Sequence, residues 1–242
     1  MERTLNIVHL FPDLLNLYGD KGNILVLKKR CTMRGIDVNI ISYTKDDELD
    51  FNNADIIYLG GGGEKEQEIV LEKLSKYKEE LKSYRDSEGV LLAACSGYPL
   101  LGSFYSKDGR KIDCLGLCDF YTEEKKERLT GNVCVDTAFG VIVGFENHSG
   151  MVRLGENSTP LGSVIRGSGN NGEDKTEGVI YKNFYGTFLH GPLLPKNPEF
   201  ADVLIRKAIM RKYNDDMPLA SLDDELEKKA KAYILTLKKE EL

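Results

Sequence analysis

The first residue whose type and setting could do chemistry is Cys95. It follows the apolar run Val90 to Ala94 and precedes Ser96 and Gly97, a pattern typical of a buried strand that ends in a tight turn. At such a corner the thiol would project at the top of a sheet, as a hydrolase nucleophile does on its elbow. We expect an apolar helix after the turn, whose N-terminus would favour the thiolate. The segment alone also fits a structural cysteine in a core strand.

The second such residue is His190, which follows the apolar run Tyr185 to Leu189 and precedes Gly191. Neighbouring parallel strands end at the same edge of a sheet, so we expect His190 to lie near Cys95. An imidazole about 3 Å from a thiol can lower the thiol pKa and then pass the proton to a leaving group. Considered alone, a histidine packed at a strand end would be the simpler interpretation.

A run of four glycines, Gly60 to Gly63, follows a predicted strand and precedes a predicted helix. No GxxxxGK[ST] or GxGxxG motif is present, so nucleotide binding is only weakly indicated. Backbone amides of a glycine run can approach a tetrahedral oxyanion closely, and we expect Gly61, Gly62 and the amide of Ser96 to be the donors. A flexible turn is the alternative interpretation.

Composition bounds the class of protein. The chain has 242 residues, of which 30% are charged and 41% hydrophobic, with a formal net charge of −6. The acidic balance argues against nucleic acid or an anionic membrane surface as the main partner. No apolar run approaches the roughly 20 residues that span a bilayer, and the segment MERTLNIVHLF lacks the features of a signal peptide. We therefore expect a cytoplasmic protein without membrane insertion.

The cysteines and histidines do not suggest a metal site. Five cysteines are an odd number, without the dense spacing of a secreted disulfide scaffold. Cys114 and Cys118 are four residues apart and Cys134 follows, but no second pair or suitably spaced histidine completes a zinc site. We interpret them as small apolar residues of strands, with the thiols reduced.

Periodicity predicts a mainly parallel α/β domain with an added antiparallel region. Apolar runs indicate strands at Leu5 to Leu10, Val38 to Tyr43, Ile56 to Leu59, Val90 to Ala94 and Tyr185 to Leu189. Helical patterns cover Lys21 to Arg34 (capped by Asp20), Glu64 to Arg85, Phe200 to Tyr213 and Leu222 to Leu237. Between residues 111 and 180, short β-prone runs and many glycines indicate hairpins, at Val133 to Val135, Val141 to Phe145, Pro160 to Arg166 and Gly178 to Tyr181. We expect one domain over residues 1–242, with helices on both faces of the parallel sheet.

Together, several segments resemble the class I glutamine amidotransferases of the cobyric-acid-synthase (CobQ) type, and within them the glutaminase subunits of lipid II isoglutaminyl synthases. The resemblance spans essentially the whole chain, with the segments in the expected order. They are LYGDKGN, YLGGGGEKEQE, LLAACSGYPLLG, GFENHSG and GTFLHGPLLPKNPE.

The resemblance implies a flavodoxin-like amidotransferase fold and a glutaminase reaction. Cys95 would attack the side-chain amide of L-glutamine and release ammonia from a glutamyl thioester, with His190 as base and then acid. Arg128 falls where this family has an arginine implicated in glutamine binding. Gln67 and His148 could also reach the substrate, although a solvated helix end and a strand-end histidine are the alternatives.

The resemblance also implies a partner. A Mur-ligase-like subunit (MurT) would receive the ammonia and amidate the α-carboxylate of D-glutamate in the stem peptide of lipid II, during peptidoglycan synthesis. ATP and Mg²⁺ would belong to that subunit, and we expect no cofactor or metal in this chain. A glutaminase serving another acceptor, as in cobyrinate amidation, and a non-catalytic partner-binding subunit are the alternatives.

One departure concerns the base. Many class I amidotransferases have His-x-Glu, in which the acid orients the imidazole, whereas this chain has Pro192 at the position of the acid. Without that acid the tautomer is less well defined. The family that this chain resembles also lacks the glutamate, so a Cys–His dyad is the expected arrangement. Glu146 and Asn147 are the candidates if another group orients His190.

Overall fold

Two six-stranded sheets form the framework of the protein in a computed structural model that describes residues 2–216 and 218–236. The α-helices are α1 (Lys21–Thr32), α2 (Glu64–Ser75), α3 (Lys78–Asp86), α4 (Pro198–Tyr213) and α5 (Glu225–Thr236). The strands are β1 (Arg3–Leu10), β2 (Ile36–Tyr43), β3 (Ile56–Leu59), β4 (Val90–Ala94), β5 (Phe104–Lys107), β6 (Arg110–Asp113), β7 (Phe120–Thr137), β8 (Gly140–Leu154), β9 (Gly162–Arg166), β10 (Thr176–Glu177), β11 (Val179–Tyr181) and β12 (Phe184–Thr187). Among the helices of these described ranges, none is long and apolar enough to cross a membrane.

The first sheet has the order β11-β12-β4-β3-β1-β2 and is parallel except for β11 at its edge. Its inner strands β3 and β4 are buried at every residue, because a parallel sheet is covered on both faces. Alternate residues of β4 enter different cores: Leu91 and Ala93 pack on one side, Val90 and Leu92 on the other. The first core also contains residues of α2 and α3, and the second residues of α1 and α4. The predicted parallel sheet with helices on both faces is therefore confirmed.

The second sheet is mainly antiparallel and is dominated by the long hairpin of β7 and β8. Its strand order is β10-β9-β7-β5-β6, with β8 paired to β7. The hairpin register shifts between Glu124 and Leu129, which marks an irregularity in the ladder. Leu129 then pairs with His148 and Thr130 with Asn147. Both cores include residues of this sheet as well as the first.

Several predicted elements differ in the structure. The predicted helix over 64–85 is broken into α2 and α3, because Tyr77 leaves the helical conformation (φ −112°, ψ 20°) and packs its ring edge-on against Phe51. No α-helix follows Cys95; two short 3-10 turns, Cys95–Gly97 and Pro99–Leu101, replace it. The prediction of an apolar helix with its N-terminus at the thiol was therefore wrong.

The antiparallel region also differs from its predicted short runs. Val133 to Val135 and Val141 to Phe145 lie inside the much longer strands β7 and β8. Charged residues occupy the exposed positions of β7, so apolar periodicity detected only its buried part. Tyr181 and its neighbours in β11 pair with β12 and so belong to the first sheet. The terminal helix begins at Glu225, and Leu237, its predicted end, lies outside the described residues.

A buried guanidinium ties α1, which follows the loop of the site, to the C-terminal elements. Arg30 donates to both carboxylate oxygens of Asp202 in α4, at 2.7 and 2.8 Å, and to Asp224 before α5, at 2.5 and 3.1 Å. Its side chain is 8% exposed. Removing it would leave the partly shielded carboxylate of Asp224 without this partner, whereas Asp202 would keep the guanidinium of Arg34 at 2.7 Å.

We expect Arg30→Ala to lower the free energy of unfolding by about 2–4 kcal/mol, since breaking a largely buried ion pair leaves uncompensated charge. Urea denaturation would measure the change. The matched control is Arg206→Ala, whose pair with Asp216 is exposed at both ends and should cost less than about 1 kcal/mol. Equal losses in the two variants would contradict the argument.

Candidate active site

Cys95 stands on a sharp elbow directly after β4. Its backbone is in the left-handed region, with φ 54°, which costs a non-glycine residue about 1–2 kcal/mol. Gly97 makes the turn possible: a Cβ there would lie 2.4 Å from the carbonyl oxygen of Gly60. The sequence prediction of a tight turn that presents the thiol at the sheet edge is confirmed by this conformation.

The glycine run packs directly on the thiol. A Cβ at Gly61 would lie 2.7 Å from Cβ of Cys95 and 2.9 Å from its Sγ, so only glycine allows this approach. The Ser96 hydroxyl accepts from the amide of Gly62 and donates to the carbonyl of the same residue, both at 2.8 Å. The two loops are therefore locked together around the sulfur.

The predicted oxyanion donors are close to the thiol but already have partners. The Gly62 amide donates to Ser96 Oγ at 2.8 Å, and the Gly61 amide lies 3.4 Å from a carboxylate oxygen of Asp20. The backbone of Ser96 hydrogen-bonds the Cys95 thiol. An oxyanion would have to replace these interactions, so the donor roles of Gly61, Gly62 and Ser96 stay predictions.

A buried polar network lies beneath the glycine run. Asp20 accepts from the Tyr58 hydroxyl at 2.6 Å, and that hydroxyl accepts from Asn23 at 2.7 Å. Asn23 in turn accepts from the amide of Leu194 at 2.8 Å. Asp20 occupies the N-cap position of α1, as predicted, but its side chain makes no capping hydrogen bond there. The network instead joins the loop before α1, the glycine run and the chain that follows His190.

His190 lies at the same sheet edge as Cys95. Strand β12 pairs in parallel with β4, with Thr187 opposite Ala94, and His190 then exchanges backbone hydrogen bonds with Phe145 of β8. The Tyr18 ring is stacked on the imidazole at 4.0 Å between centroids and 14° between planes. Among the described residues, neither imidazole nitrogen has a hydrogen-bond partner.

Burial keeps both reactive groups neutral. Desolvation raises the pKa of the Cys95 thiol to about 12, with the nearby Asp20 carboxylate adding to the rise. Desolvation also lowers the pKa of His190 to about 4, and Lys196 and His148 lower it further. A neutral thiol beside a neutral imidazole is therefore the resting state between these two values.

A cavity of about 280 Å³ opens beside the thiol. Cys95 and Ser96 line it together with Tyr18, Gln67, Arg128 and His148. Its dimensions suit a small polar ligand. Gln67 reaches the rim of the glycine run, where its amide nitrogen lies 3.4 Å from the carbonyl of Gly62.

Arg128 is held at the cavity by Asn147. The guanidinium donates to the side-chain oxygen of Asn147 at 3.0 Å and to its carbonyl at 2.9 Å. Both residues come from the β7–β8 hairpin near its irregularity. The arginine is exposed and can present its remaining donors to a carboxylate in the bidentate geometry that guanidinium favours.

Neither predicted orienting group contacts His190. Asn147 is engaged by Arg128, and Glu146 accepts from the amides of Ser168 and Gly169, both at 2.8 Å. The hypothesis that Glu146 or Asn147 orients the base was therefore wrong in this structure.

His148 does line the cavity, above two buried acids. Its ring stacks on Phe188 at 3.6 Å, Nδ1 lies 2.7 Å from the Gly150 carbonyl, and Nε2 lies 3.7 Å from Glu146. Burial raises the pKa of Glu177 to about 7, although Thr187 donates to it and His148 lowers it by its charge. Of these groups, His148, Gly150 and Phe188 line the cavity, whereas the two acids lie outside its lining.

Sequence reasoning missed Tyr18 and the hydroxyl of Ser96. Tyr18 belongs to the segment LYGDKGN, and its neighbour Gly19 has φ 76°, so the segment itself was the available signal for an ordered loop. The Ser96 hydroxyl was hidden because the prediction used only its backbone amide. No cluster of three or more His, Cys, Asp or Glu side chains suited to a metal occurs within residues 2–216 and 218–236.

The solved structure of a protein described as a glutamine amidotransferase shares this fold. The match covers 83% of this chain and 98% of the other, with a TM-score of 0.59 and 15% sequence identity. At that identity the comparison supports the fold alone.

Two curated relatives are similar along nearly the whole chain. This chain is 44% identical over 233 residues to the lipid II isoglutaminyl synthase (glutamine-hydrolyzing) subunit GatD of Staphylococcus aureus, covering 96% of this chain and 95% of the relative. It is 39% identical over 224 residues to the GatD subunit of Streptococcus pneumoniae, covering 91% and 86%. Residues 6–198 match the model of the CobB/CobQ-like glutamine amidotransferase domain. The chain therefore belongs to the CobB/CobQ-like glutamine amidotransferase family.

Proposed function

We propose that this chain is the glutamine-hydrolysing subunit of a lipid II isoglutaminyl synthase. The observation that carries the proposal is the 44% identity to the GatD subunit of Staphylococcus aureus over 96% of this chain. The site supports the same reaction class, because an elbow cysteine, a nearby histidine and a cavity with an arginine suit amide hydrolysis.

The proposed reaction begins at Sγ of Cys95. His190 accepts the thiol proton, and the thiolate forms a bond to the side-chain amide carbon of L-glutamine. The tetrahedral intermediate collapses when its C–N bond breaks and the imidazolium returns the proton to the leaving nitrogen, releasing ammonia. Water then hydrolyses the glutamyl thioester to glutamate and restores the thiol. Because burial raises the thiol pKa to about 12, proton transfer from Cys95 to His190 becomes favourable only when bound substrate adds contacts that stabilise the charged form.

Donors for that oxyanion are proposed to come from the glycine run and the elbow. The amides of Gly61, Gly62 and Ser96 are the candidates, and the Gly62 amide becomes available when the Ser96 hydroxyl turns away. Removing one donor of an oxyanion hole typically costs about 10²–10³ in kcat. The close packing of Gly61 on Cys95 supports this location.

Arg128 is proposed to bind the α-carboxylate of glutamine. Asn147 fixes two of its donors, so the remaining face of the guanidinium is preorganised for a carboxylate. Gln67 and His148 line the same cavity and are proposed to contact the substrate. This assignment places substrate specificity mainly on β7 and β8, and the nucleophile on β4.

The ammonia acceptor is proposed to be a Mur-ligase-like subunit, MurT. That subunit would use ATP and Mg²⁺ to activate the α-carboxylate of D-glutamate in the lipid II stem peptide, giving D-isoglutamine. The relatives' printed name, a subunit of lipid II isoglutaminyl synthase, supports a complex. Residues 1–242 are proposed to act in it as one domain, since both cores mix residues of the two sheets.

We expect Cys95→Ala to abolish glutamine hydrolysis and glutamine-dependent amidation of lipid II, because the variant lacks the nucleophile. Added ammonium salt should still support amidation by the complex, which serves as the control for its assembly. Glutamate release and isoglutamine formation are the measurements. Full glutaminase activity in Cys95→Ala would contradict the proposal and favour a non-catalytic, partner-binding subunit.

Arg128→Ala should raise KM for glutamine about tenfold or more, since a charge-assisted pair with the substrate carboxylate is lost. Steady-state kinetics of the complex would measure it. Arg110→Ala, on the exposed strand β6, is the matched control and should leave KM unchanged. An unchanged KM in the Arg128 variant would remove this residue from the substrate site.

A further inference from the structure

The Tyr18 side chain is placed to control access to the imidazole of His190. The two rings are nearly parallel, 14° apart, with centroids at 4.0 Å, and Phe145 packs edge-on at 5.7 Å. His190 is 3% exposed although both of its ring nitrogens lack partners in the described part of the chain. Burying an imidazole between aromatic rings without a hydrogen bond costs free energy. Such a buried, unpartnered group therefore points to a functional role for its nitrogens.

Tyr18 contacts both this imidazole and the cavity. The residues that line the cavity include Tyr18 and Cys95 but not His190. No hydrogen bond joins the thiol to the imidazole within the described residues. The proposed base is therefore buried and makes no hydrogen bond, within the described residues, to the thiol that it must deprotonate.

The tyrosine is connected to the substrate side of the cavity. The amide nitrogen of Asn147 lies 3.4 Å from the Tyr18 hydroxyl, and the oxygen of the same side chain accepts from Arg128 at 3.0 Å. A ligand carboxylate at Arg128 would compete for that guanidinium. Its arrival can then loosen Asn147 and with it the hydroxyl of the tyrosine.

We propose that Tyr18 is a positioning residue that covers His190 in the resting chain and moves aside when a carboxylate occupies Arg128, so that the imidazole reaches Cys95. The assignment of base and nucleophile rests on the proposed function. The cover acts through the aromatic ring, which excludes water from the imidazole, whereas the hydroxyl holds the ring in place.

The causes of the lowered His190 pKa are consistent with an imidazole that is covered by neighbouring rings. Lys196 and His148 lower the imidazole pKa by their charge, but desolvation is the largest cause of its fall to about 4. Tyr18 and Phe145 are the aromatic neighbours that pack against the buried imidazole. Removing the tyrosine ring should therefore restore water to the imidazole and raise its pKa, while both cationic neighbours stay in place.

The first test is NMR titration of the three histidines in the wild-type chain, Tyr18→Ala and Tyr18→Phe, with assignment by His190→Gln. We expect Tyr18→Ala to raise the pKa of His190 by about one unit or more toward 6.5. Tyr18→Phe should raise it less, because the ring is retained although the hydroxyl contact to Asn147 is lost. An unchanged pKa in Tyr18→Ala, or an equal rise in both variants, would overturn the proposal.

His9 is an internal control for the integrity of the fold. It is 3% exposed on β1, and burial lowers its pKa to about 4. A general loosening of the Tyr18→Ala variant would raise the pKa of both His9 and His190. A rise confined to His190 is expected.

The second test is alkylation of Cys95 by iodoacetamide at pH 7, followed on the peptide of residues 86–107, in which Cys95 is the single cysteine. We expect Tyr18→Ala to react at least about threefold faster than wild type, since the imidazole can now assist the thiol. Adding His190→Gln should abolish the gain. A gain that survives this second substitution would mean that Tyr18 merely blocks the thiol and would overturn the proposal. Neither readout uses glutamine hydrolysis, so a failed glutaminase assignment would be recognised separately.

Discussion

The site depends on the interlocking of two backbone loops at the carboxyl ends of β3 and β4. Cys95 adopts a left-handed conformation, φ 54°, that a side chain normally avoids. The turn is held because Gly97 approaches the carbonyl of Gly60 and Gly61 approaches Cys95, each too closely for a Cβ. The Ser96 hydroxyl then fastens both polar groups of Gly62. The strained backbone at the thiol and the predicted oxyanion amides therefore depend on the same two packed loops, which follow the paired parallel strands.

Desolvation determines the protonation states of the thiol and the imidazole in this site. Water is excluded from both groups, so the thiol pKa rises to about 12 and the imidazole pKa falls to about 4. Both shifts oppose the thiolate–imidazolium pair. Such a pair stays neutral until a ligand adds contacts that stabilise its charged form.

The two sheets supply different parts of the chemistry. The parallel sheet places Cys95 and His190 on adjacent strand ends, whereas the β7–β8 hairpin carries Arg128, Asn147 and His148 to the opposite wall. The loop before α1 closes the site with Tyr18 and reaches beneath the glycine run with Asp20. Shared cores connect the sheets, so the distance between Cys95 and Arg128 is set by packing between them.

The sequence alone determined the parallel sheet, the elbow at Cys95 and the placement of His190 at the same edge, because apolar runs and small residues report strand burial and tight turns locally. It did not reveal the break at Tyr77, whose ring packs against Phe51, nor the direction of Glu146, which binds distant amides at Ser168 and Gly169. The Asp20 side chain likewise accepts from Tyr58 instead of making a capping hydrogen bond to α1. These features, and the stacking of Tyr18 on His190, were decided only by the tertiary structure, since each depends on a partner far along the chain that local propensity cannot encode.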